Sequence, residues 1–418
     1  MGLADKPVAA EAAQGFAGKT IVFVHNPAAD RYHTHRLSIA TYASAYRRVG
    51  IAAATLDISA PDFVARFAEA VRKPDVLAVH CEQSWGLDLT LTIGGQAIDP
   101  YEAFGKPAIA HIRDYPFYPW LRSRTLVSRP NRLLFFTERS AVDFIGPFGG
   151  APAPDRHASF AAHITLDEPI QAASPVTSWA DRPIDLLYVG SYADPMAERE
   201  KFSAVHPELR TVLDAVIELC THEYRLPFWR AAEDIVNKHG GVDTAGAVFL
   251  DLLVAANQFI RNERRRILLH RLAPHPMTLV WSGPRPPIDL HPDTRVIAGN
   301  TLTETLALCR SAKAMAMCLN NFPYSLSERL LSAMARGAVV LCHANAMIED
   351  VFRDGEDILM LEADGANVGD QLATLQVTSR ADAIVAAAAT KVERQFTADA
   401  RVGQFLDAIA DFYRVRAI

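Results

Sequence analysis

Residues 320–362 read NNFPYSLSERLLSAMARGAVVLCHANAMIEDVFRDGEDILMLE, and this stretch decides the fold of the chain around it. Leu330, Leu331 and Met334 have helical spacing, whereas AVVLC and DILML are short unbroken apolar runs, typical of strands buried on both faces. Gly337 stands where a left-handed helix cap is expected, and Asp354 opens an Asp-Gly turn before the last strand. The pattern predicts one βαβ unit of a parallel sheet.

The start of the predicted helix has two interpretations. Ser325, Ser327 and Glu328 crowd the point where free backbone N–H groups and the positive end of the helix dipole favour a phosphate group. Ser325 and Glu328 also have the S-x-x-E spacing of a capping box, which needs no ligand. The residues alone leave both interpretations open.

A family resemblance bears on this choice. The segment SERLLSAMARGAVVLCHANAMIEDVFRDGEDILMLE resembles the donor-site segment of GT-B glycosyltransferases, in particular the branch similar to the spore-maturation protein CgeB and the related group 1 glycosyltransferases. The resemblance implies that the loop and helix start hold the ribose and diphosphate of a sugar nucleotide. The residues at those positions are Ser325, Ser327, Glu328 and Arg329. Group 1 retaining enzymes commonly carry two glutamates eight residues apart here, and this chain has Tyr324 and Ser332 in their places.

Length and composition describe a globular protein of two domains. The chain has 418 residues, of which 50% are hydrophobic and 22% are charged, and this length exceeds one ordinary hydrophobic core. The formal net charge of −6 argues against a nucleic acid or an anionic membrane as the main partner. One dense group of arginines is interpreted as a solvated helix face. Its members are Arg261, Arg264, Arg265 and Arg266.

The cysteines and the first residues favour a cytoplasmic protein. The five cysteines are scattered and never in C-x-x-C spacing, which is typical of reduced thiols rather than of disulfides or zinc sites. The start of the chain lacks a signal-peptide pattern, and no run approaches the roughly 20 apolar residues of a membrane span. His33 and His35 lie close together without a third ligand at metal spacing, so no metal site is predicted.

The first part of the chain alternates predicted strands and helices, which indicates a Rossmann-like domain with a parallel sheet. Its predicted strands are TIVFVHN, AAATLD, DVLAVH, PAIAHI and RLLFF. Ligands of open α/β sheets bind at the carboxyl ends of the strands, so the residues there are candidate site residues. They are His25, Asn26, His80, Glu82, residues 111–118, Thr137 and Glu138. The segment KPAIAHIRDYPFYPW also resembles a stretch of the CgeB-like branch.

Asp114 is the leading candidate for a catalytic carboxylate, either as the base that activates an acceptor hydroxyl or as a stabiliser of an oxocarbenium-like centre. It precedes the aromatic run from Tyr115 to Trp120, which is typical of a surface on which sugars stack and would raise the pKa of a nearby carboxylate. The alternative is a turn residue that accepts backbone N–H bonds before Pro116. The alternates at neighbouring strand ends are His25, His80 and Glu82.

A second domain is predicted after a proline-rich connection. Residues 147–183 have no sustained periodicity and many Pro, Ala, Ser and Asp, which is typical of a link between domains. We place the boundary so that residues 1–170 form the first domain and residues 171–418 the second. The second domain opens with the strand IDLLYVGSY, contains a helical insertion at about residues 205–273 and closes with helices.

Three further strand ends resemble donor-binding loops. The end of IDLLYVGSY resembles the strand that faces the donor diphosphate, and the ends of MTLVWS and TRVIAG resemble loops that enclose the nucleotide base. Each could equally be turn chemistry. The residues concerned are Gly190, Ser191, Gly283, Arg285 and Asn300. The segment RQFTADARVGQFLDAI resembles the family's terminal helix, which in GT-B folds crosses back to the first domain.

The resemblance covers most of the chain. It implies an α/β protein of the GT-B fold, in which an N-terminal Rossmann-like acceptor domain and a C-terminal Rossmann-like donor domain face each other across a cleft. It implies a hexosyltransferase-like glycosyltransferase that uses a nucleotide-sugar as co-substrate and needs no cofactor. The implied acceptor is a glycan, a protein or a small molecule. A GT-B sugar-nucleotide epimerase and a non-catalytic nucleotide-sugar-binding paralogue are the alternatives, because a fold does not fix a function.

The donor reaction is expected to be independent of metal ions. The sequence contains no D-x-D pair that could hold a divalent cation against a diphosphate. A helix N-terminus with the hydroxyls of Ser325 and Ser327 and the charge of Arg329 can neutralise the diphosphate directly.

Overall fold

The chain divides into two compact units, each built around one parallel sheet. The structure is a computed structural model that describes residues 15–126, 129, 131–148, 157–166, 178–283, 288–299, 301–319 and 321–416. Unit 1 comprises Met1–Ile170 and Arg394–Ile418, and unit 2 comprises Gln171–Glu393.

Unit 1 contains a six-stranded sheet and a separate hairpin. The described strands are β1 (Thr20–His25), β2 (Ala52–Asp57), β3 (Val76–Glu82), β4 (Leu91–Ile93), β5 (Gln96–Ile98), β6 (Ala108–Ile112), β7 (Arg132–Phe136) and β8 (His157–Phe160). The described helices are α1 (Thr34–Arg48), α2 (Phe63–Arg72), α3 (Pro100–Ala103), α4 (Pro119–Leu121), α5 (Arg139–Phe148) and, near the C-terminus, α15 (Ala398–Arg416). The sheet order is β2-β1-β3-β6-β7-β8, and every neighbouring pair is parallel. The antiparallel β4 and β5 form the hairpin.

The five predicted strands of unit 1 are confirmed, and all but the edge strand β2 are largely buried. Every residue of β3, β6 and β7 is buried, as expected for parallel strands covered on both faces. The interpretation of residues 147–183 as a connection was wrong in part, since His157–Phe160 is a strand that pairs with β7. This strand has only four residues in a proline-rich setting, so its periodicity is too short to detect.

The last helix belongs to unit 1. The boundary at residue 171 placed it in the second domain, whereas the resemblance of its segment to a terminal helix that crosses back agrees with its observed place. Its Phe405 is fully buried, and its ring lies 4.7 Å from that of Phe135 and 5.3 Å from that of His80, centroid to centroid. The Tyr413 hydroxyl donates to the carbonyl oxygen of Leu77 at 2.7 Å. Helix α15 therefore completes the hydrophobic core of unit 1.

Unit 2 contains the second six-stranded sheet. The described strands are β9 (Ile184–Ser191), β10 (Thr278–Ser282), β11 (Arg295–Ala298), β12 (Ala312–Met317), β13 (Val339–His343) and β14 (Leu359–Leu361). The described helices are α6 (Met196–Val205), α7 (Arg210–Thr221), α8 (Phe228–His239), α9 (Ala247–Leu272), α10 (Leu302–Ser311), α11 (Glu328–Ala335), α12 (Ala346–Val351), α13 (Val368–Thr374) and α14 (Thr378–Gln395). The predicted helical insertion at about residues 205–273 corresponds to α7, α8 and α9, and α6 precedes it. The sheet order is β11-β10-β9-β12-β13-β14, all parallel, which in chain order is the 3-2-1-4-5-6 arrangement of a Rossmann fold.

The stretch at 320–362 folds as its pattern predicts, into α11, β13, α12 and β14. Gly337 follows α11 with a φ of 78°, a conformation that costs glycine little. A Cβ atom there would also lie 2.5 Å from a guanidinium nitrogen of Arg182, whose side chain donates to the carbonyl oxygens of Ala312, Arg336 and Gly337. Glycine is therefore required by conformation and by packing.

Candidate functional site

The strand order of unit 2 locates its candidate site. Strands β9 and β12 are neighbours, and the chain leaves them toward opposite edges of the sheet. In open α/β sheets, ligands bind at such a switch point, outside the carboxyl ends of the strands. Strand β9 ends at Ser191 and β12 ends at Met317, and the chain after β12 leads into α11. The helix start singled out in the sequence thus lies at the switch point.

Two arginines contact the end of β9, and the charge of a third acts on one of them. The guanidinium of Arg329, in the first turn of α11, donates to the carbonyl oxygen of Val189 at 3.2 Å. Arg265, on α9, donates to the carbonyl oxygen of Ser191 at 3.2 Å. Arg261 lies one helical turn before Arg265, so both project from the same side of α9.

The positive charges of these arginines act on one another. Burial lowers the pKa of Arg265 to about 10, and the charges of Arg261 and Arg329 act in the same direction. None of the three forms an ion pair with a carboxylate of the described residues. Because like charges repel, such a group is costly unless an anion compensates it. We call Arg261, Arg265 and Arg329 the arginine cluster.

The interpretation of the arginines of α9 as a solvated face was wrong. Arg264 is 2% exposed and Arg265 is 8% exposed. The Arg264 guanidinium lies 3.7 Å from the ring centroid of Tyr224 and donates to the carbonyl oxygens of Thr221 and Glu223 at 2.9 and 2.7 Å. These bonds fix α9 against the end of α7, and they orient Arg265 toward β9.

The start of α11 is capped by Ser327 and not by Ser325. The Ser327 hydroxyl accepts the N–H of Arg329 at 3.2 Å, whereas the buried Ser325 hydroxyl donates to the carbonyl oxygen of Leu326 at 3.1 Å. The capping box between Ser325 and Glu328 is therefore not formed, and that interpretation was wrong. Glu328 is the first residue of the helix and is half-buried.

The loop before α11 is held by Asn345, the residue that precedes α12. The Asn345 amide donates to the carbonyl oxygens of Phe322 and Ser325 at 2.7 and 2.9 Å. Its side-chain oxygen accepts the N–H of Ile348 at 2.7 Å and so caps α12. One buried asparagine thus fixes both the loop and the following helix.

The other predicted donor contacts lie at neighbouring strand ends or outside the described residues. Gly190 and Ser191 end β9, and Gly283 follows the adjacent strand β10. A Cβ atom at Gly190 would lie 2.7 Å from the Tyr188 ring, so close packing requires glycine there. Two of the predicted contacts lie outside the described residues. They are Arg285 and Asn300.

In unit 1, the carboxyl ends of β1, β3 and β6 carry a polar network. His25 ends β1, and its Nε2 lies 3.2 Å from Oδ2 of Asp30. Asp30 also accepts the backbone N–H groups of His35 and Arg36 at 3.1 and 2.8 Å. Burial would raise the pKa of Asp30, but these hydrogen bonds outweigh it and lower the pKa to about 2. Asp30 is therefore ionised at neutral pH and orients the His25 imidazole.

Glu82, predicted as a catalytic candidate, is fully buried. It pairs with the Arg113 guanidinium, and the Nδ1 atom of His35 lies 3.5 Å from its Oε1. Burial would raise the pKa of Glu82, but the charge of Arg113 and the His35 contact lower it to about 2. Because Glu82 is fully buried and paired with Arg113, its position is that of a supporting residue rather than of one that meets a substrate.

Asp114 lies beside the end of β3. The Gln83 side chain donates through Nε2 to Oδ2 of Asp114 at 3.2 Å and accepts the N–H of Arg113 through Oε1 at 3.0 Å. Gln83 has a φ of 58°, an uncommon backbone conformation for a residue other than glycine. Asp114 is half-buried. The amide of Gln83 therefore orients the Asp114 carboxylate.

Most of the aromatic run after Asp114 is buried and cannot be the stacking surface that the sequence predicted. Tyr115, Phe117 and Tyr118 are buried in unit 1, and the rings of Tyr115 and Phe117 stack on each other at 5.0 Å. Trp120 alone in this run is an exposed aromatic side chain, with 52% of its surface accessible.

His80 belongs to the core of unit 1 and not to its polar edge. Its ring stacks on Phe23 at 4.8 Å, and neither ring nitrogen has a hydrogen-bond partner. Burial lowers the pKa of His80 to about 4, although the charge of Glu82 partly opposes this. A catalytic role for His80 is therefore contradicted by its position.

We expect His80 to make the protein less stable in acid. The unfolded chain binds a proton at His80 near its ordinary pKa of about 6.5, whereas the folded chain does so only near 4, so stability falls as the pH decreases through this window. The loss is on the order of 2 kcal/mol at pH 5. Urea denaturation at pH 7.5 and pH 5 gives the change in the free energy of unfolding between the two pH values. This change should be smaller in His80→Leu than in wild type, whereas in the variant His270→Leu, at an exposed position, it should equal that of wild type. An unchanged difference in His80→Leu would contradict this expectation.

No pattern in the sequence indicated that Arg261, Arg265 or Asp30 are site residues. The four-residue spacing of Arg261 and Arg265 was a signal for one helix face, but nothing local indicated that this face is buried. Asp30 follows His25 by five residues in a loop, and hydrophobic periodicity does not predict the conformation of a loop.

Two further properties concern the described residues only. No group of three or more His, Cys, Asp or Glu side chains in the described ranges is arranged to hold a metal ion. No described helix combines the length and apolar character that a membrane crossing requires. All five cysteines are free, as predicted.

Comparisons with known proteins agree with this architecture. Residues 264–407 match the model of a family described as glycosyl transferase-like. No curated protein sequence matches the chain. Among solved structures, an alpha-glucosyltransferase in complex with UDP is 10% identical over 94% of this chain and 99% of that chain, with a TM-score of 0.54. The complex of an alpha-glucosyltransferase with UDP-glucose and DNA containing an abasic site has a TM-score of 0.52 at 10% identity over the same shares.

A third solved structure is that of Anabaena Alr3699/HepE in complex with UDP-glucose. It is 11% identical over 94% of this chain and 99% of that chain, with a TM-score of 0.50. At these identities the likeness concerns the fold, and the family match concerns the sequence from the end of α9 into α15. The family match thus covers part of the chain, and the likeness to the solved structures shows a shared fold.

Proposed function

We propose that the protein transfers a sugar from a UDP-sugar to a hydroxyl group of an acceptor, and that unit 2 binds the donor. The arginine cluster at the end of β9 is the observation that carries this proposal. It offers three positive charges without a carboxylate partner among the described residues, at the strand ends where Rossmann folds bind ligands. The solved structures with this fold that contain UDP or UDP-glucose also support it.

The donor contacts follow from this position. Arg261, Arg265 and Arg329 hold the diphosphate, and the N-terminus of α11 adds backbone N–H groups and the positive end of its dipole. Glu328 accepts hydrogen bonds from the ribose hydroxyls. The remaining contacts lie at the neighbouring strand ends. They are Gly190 and Ser191 for the diphosphate, Ser327 at the helix cap, and Gly283, Arg285 and Asn300 around the base, while the buried Ser325 supports the loop.

In unit 1, Asp114 is our candidate for the catalytic base. The acceptor O–H gives its proton to this carboxylate as the acceptor oxygen bonds to the anomeric carbon, and the bond from that carbon to the diphosphate oxygen breaks. The electron pair leaves with UDP, whose charge the arginine cluster offsets. His25, oriented by Asp30, is the second candidate base. Glu82 positions Arg113, which in turn contacts Gln83 beside Asp114.

Donor binding and transfer are proposed to need neither a metal ion nor another cofactor. Protein charge takes the place that a divalent cation has in enzymes with a D-x-D pair. We expect UDP and UDP-glucose to bind in calorimetry, and the sugar to be released from UDP-glucose, at equal levels with and without EDTA. A large loss in EDTA that Mg²⁺ or Mn²⁺ restores would contradict metal independence.

The same incubation tests the reaction class. Free glucose or a glycosylated acceptor is the expected product. A UDP-sugar with inverted configuration would favour the epimerase, and UDP-glucose that binds but stays intact with every acceptor would favour the non-catalytic paralogue. Absence of UDP and UDP-glucose binding would exclude the proposed donor.

The acceptor and the branch of the family are further parts of the proposal. We propose a glycan, protein or small-molecule acceptor rather than nucleic acid, on the basis of the net charge of −6. The free cysteines support a cytoplasmic location. Membership of the CgeB-like branch stays a prediction from the sequence motifs.

A further inference from the structure

Two tryptophans and an arginine at the carboxyl ends of β3 and β6 have no part in the chemistry proposed above. Trp85 follows β3, Trp120 lies in α4 after β6, and Arg124 lies in the π-helical turn Arg122–Leu126 that continues α4. The Arg124 guanidinium lies 4.8 Å from the ring centroid of Trp85. These three side chains are named the tryptophan–arginine row.

Trp120 is exposed and stacked on a neighbouring ring. Its ring is stacked on that of Tyr118 at 4.4 Å between centroids and 12° between planes, and Tyr118 is buried. Because Tyr118 covers one face of the indole, the 52% of Trp120 that is exposed includes the other face. An exposed, immobilised indole is a common feature of binding surfaces, since large aromatic surface in water is unfavourable.

Polar groups surround the indoles. Arg124 donates to Oδ2 of Asp88 at 3.2 Å and to the Ser84 hydroxyl at 3.2 Å. Asp88 is 39% exposed at its side chain. Trp120 and Arg124 are four residues apart on one helical stretch and so lie on one side of it. The row therefore combines flat apolar faces with donors and acceptors that are already oriented.

We propose that the tryptophan–arginine row is the acceptor subsite and that the acceptor it takes is a carbohydrate. This inference rests on the proposed glycosyl transfer. The C–H faces of pyranose rings pack on the indoles, while their hydroxyls bond to Asp88 and Arg124. Asp88 offsets the charge of Arg124, which disfavours a phosphorylated acceptor and favours a neutral one.

The position of the row relative to the candidate base supports this assignment. Ser84 and Trp85 directly follow Gln83, whose amide donates to Asp114 at 3.2 Å. The row and the carboxylate that is proposed to take the proton are thus connected through one short segment, residues 83–85. The same segment continues into the β4–β5 hairpin, whose residues are mostly exposed.

The test measures saccharide binding without a donor. Wild type is titrated with maltotriose, cellotriose and N,N′-diacetylchitobiose and followed by saturation-transfer NMR. We expect at least one of them to bind and Trp120→Ala to bind it at least about tenfold more weakly. Trp120→Phe should recover part of the affinity. Val64→Ala, which shortens a side chain that is 56% exposed on α2, is the control and should bind like wild type.

Two results of the saccharide titration would overturn the inference. They are absence of binding of all three saccharides to wild type at millimolar concentration, and equal binding by wild type and Trp120→Ala. Retention of a peptide digest that depends on Trp120 in place of saccharide binding would also overturn it, in favour of a peptide acceptor. A parallel UDP titration separates the two proposals, because loss of UDP binding counts against the proposed donor and leaves the saccharide result intact.

Discussion

Asp114→Asn is expected to lower kcat for transfer from UDP-glucose by about 10²–10⁴-fold, the usual contribution of a general base. The asparagine keeps the size of the side chain and can still accept the hydrogen bond that Gln83 donates to Asp114, but it cannot take a proton. Affinity for UDP should stay at the wild-type value because the proposed donor contacts belong to unit 2. The measurement is kcat from initial rates with saturating donor, together with UDP calorimetry and a melting curve.

Asp75→Asn is the matched control for this prediction. Asp75 precedes β3 at the opposite edge of the sheet, where it accepts a hydrogen bond from the Thr20 hydroxyl at 3.2 Å. The control should retain its turnover. Full turnover in Asp114→Asn would make Asp114 a turn residue, and the same assay on His25→Gln would then test the second candidate.

Replacement of Arg265 by Gln is expected to weaken UDP binding by about 10- to 150-fold. A hydrogen bond to a charged group is worth about 1.5–3 kcal/mol, and each 1.4 kcal/mol is a tenfold change in the dissociation constant. The loss should shrink as salt is added, because screening already weakens the attraction in wild type. Calorimetric titration with UDP at low and high salt measures both effects.

The control for Arg265→Gln is the neighbouring Arg266→Gln. Arg266 pairs with Glu263, its Nε lying 2.8 Å from a carboxylate oxygen, so its charge is already compensated. Because Arg265 is buried and its loss could disturb α9, Arg329→Gln provides a second removal of charge at the same site. Unchanged UDP affinity in both Arg265→Gln and Arg329→Gln would exclude the arginine cluster as the diphosphate site.

The sheets could be predicted because their strands are continuous apolar runs. The strands of β3, β6, β7 and β13 are buried on both faces, so their sequence carries the signal without reference to the rest of the chain. The strand β8 and the β4–β5 hairpin have no such signal. They are short, and their stability comes from pairing with a neighbour.

The sequence indicated the candidate site residues that lie at strand ends. It did not indicate those whose position depends on packing between distant helices. The positions of Ser327, Glu328 and Arg329 follow from the βαβ pattern. The burial of Arg265 and of Tyr115 depends on helices that are distant in sequence, and composition alone suggests exposure for an arginine and a sugar surface for the aromatic run. Three-dimensional packing reversed both expectations.

The return of the last helix to unit 1 has a consequence for synthesis of the chain on the ribosome. Unit 2 is an uninterrupted segment, Gln171–Glu393, whereas unit 1 is interrupted by it and closes only with Arg394–Ile418. Until α15 has left the ribosome, Phe135 and His80 lack their contacts with the ring of Phe405. Unit 1 is thus translated first but can complete its folding only last. While unit 2 is synthesised, the apolar strands of the incomplete unit 1 are exposed to aggregation.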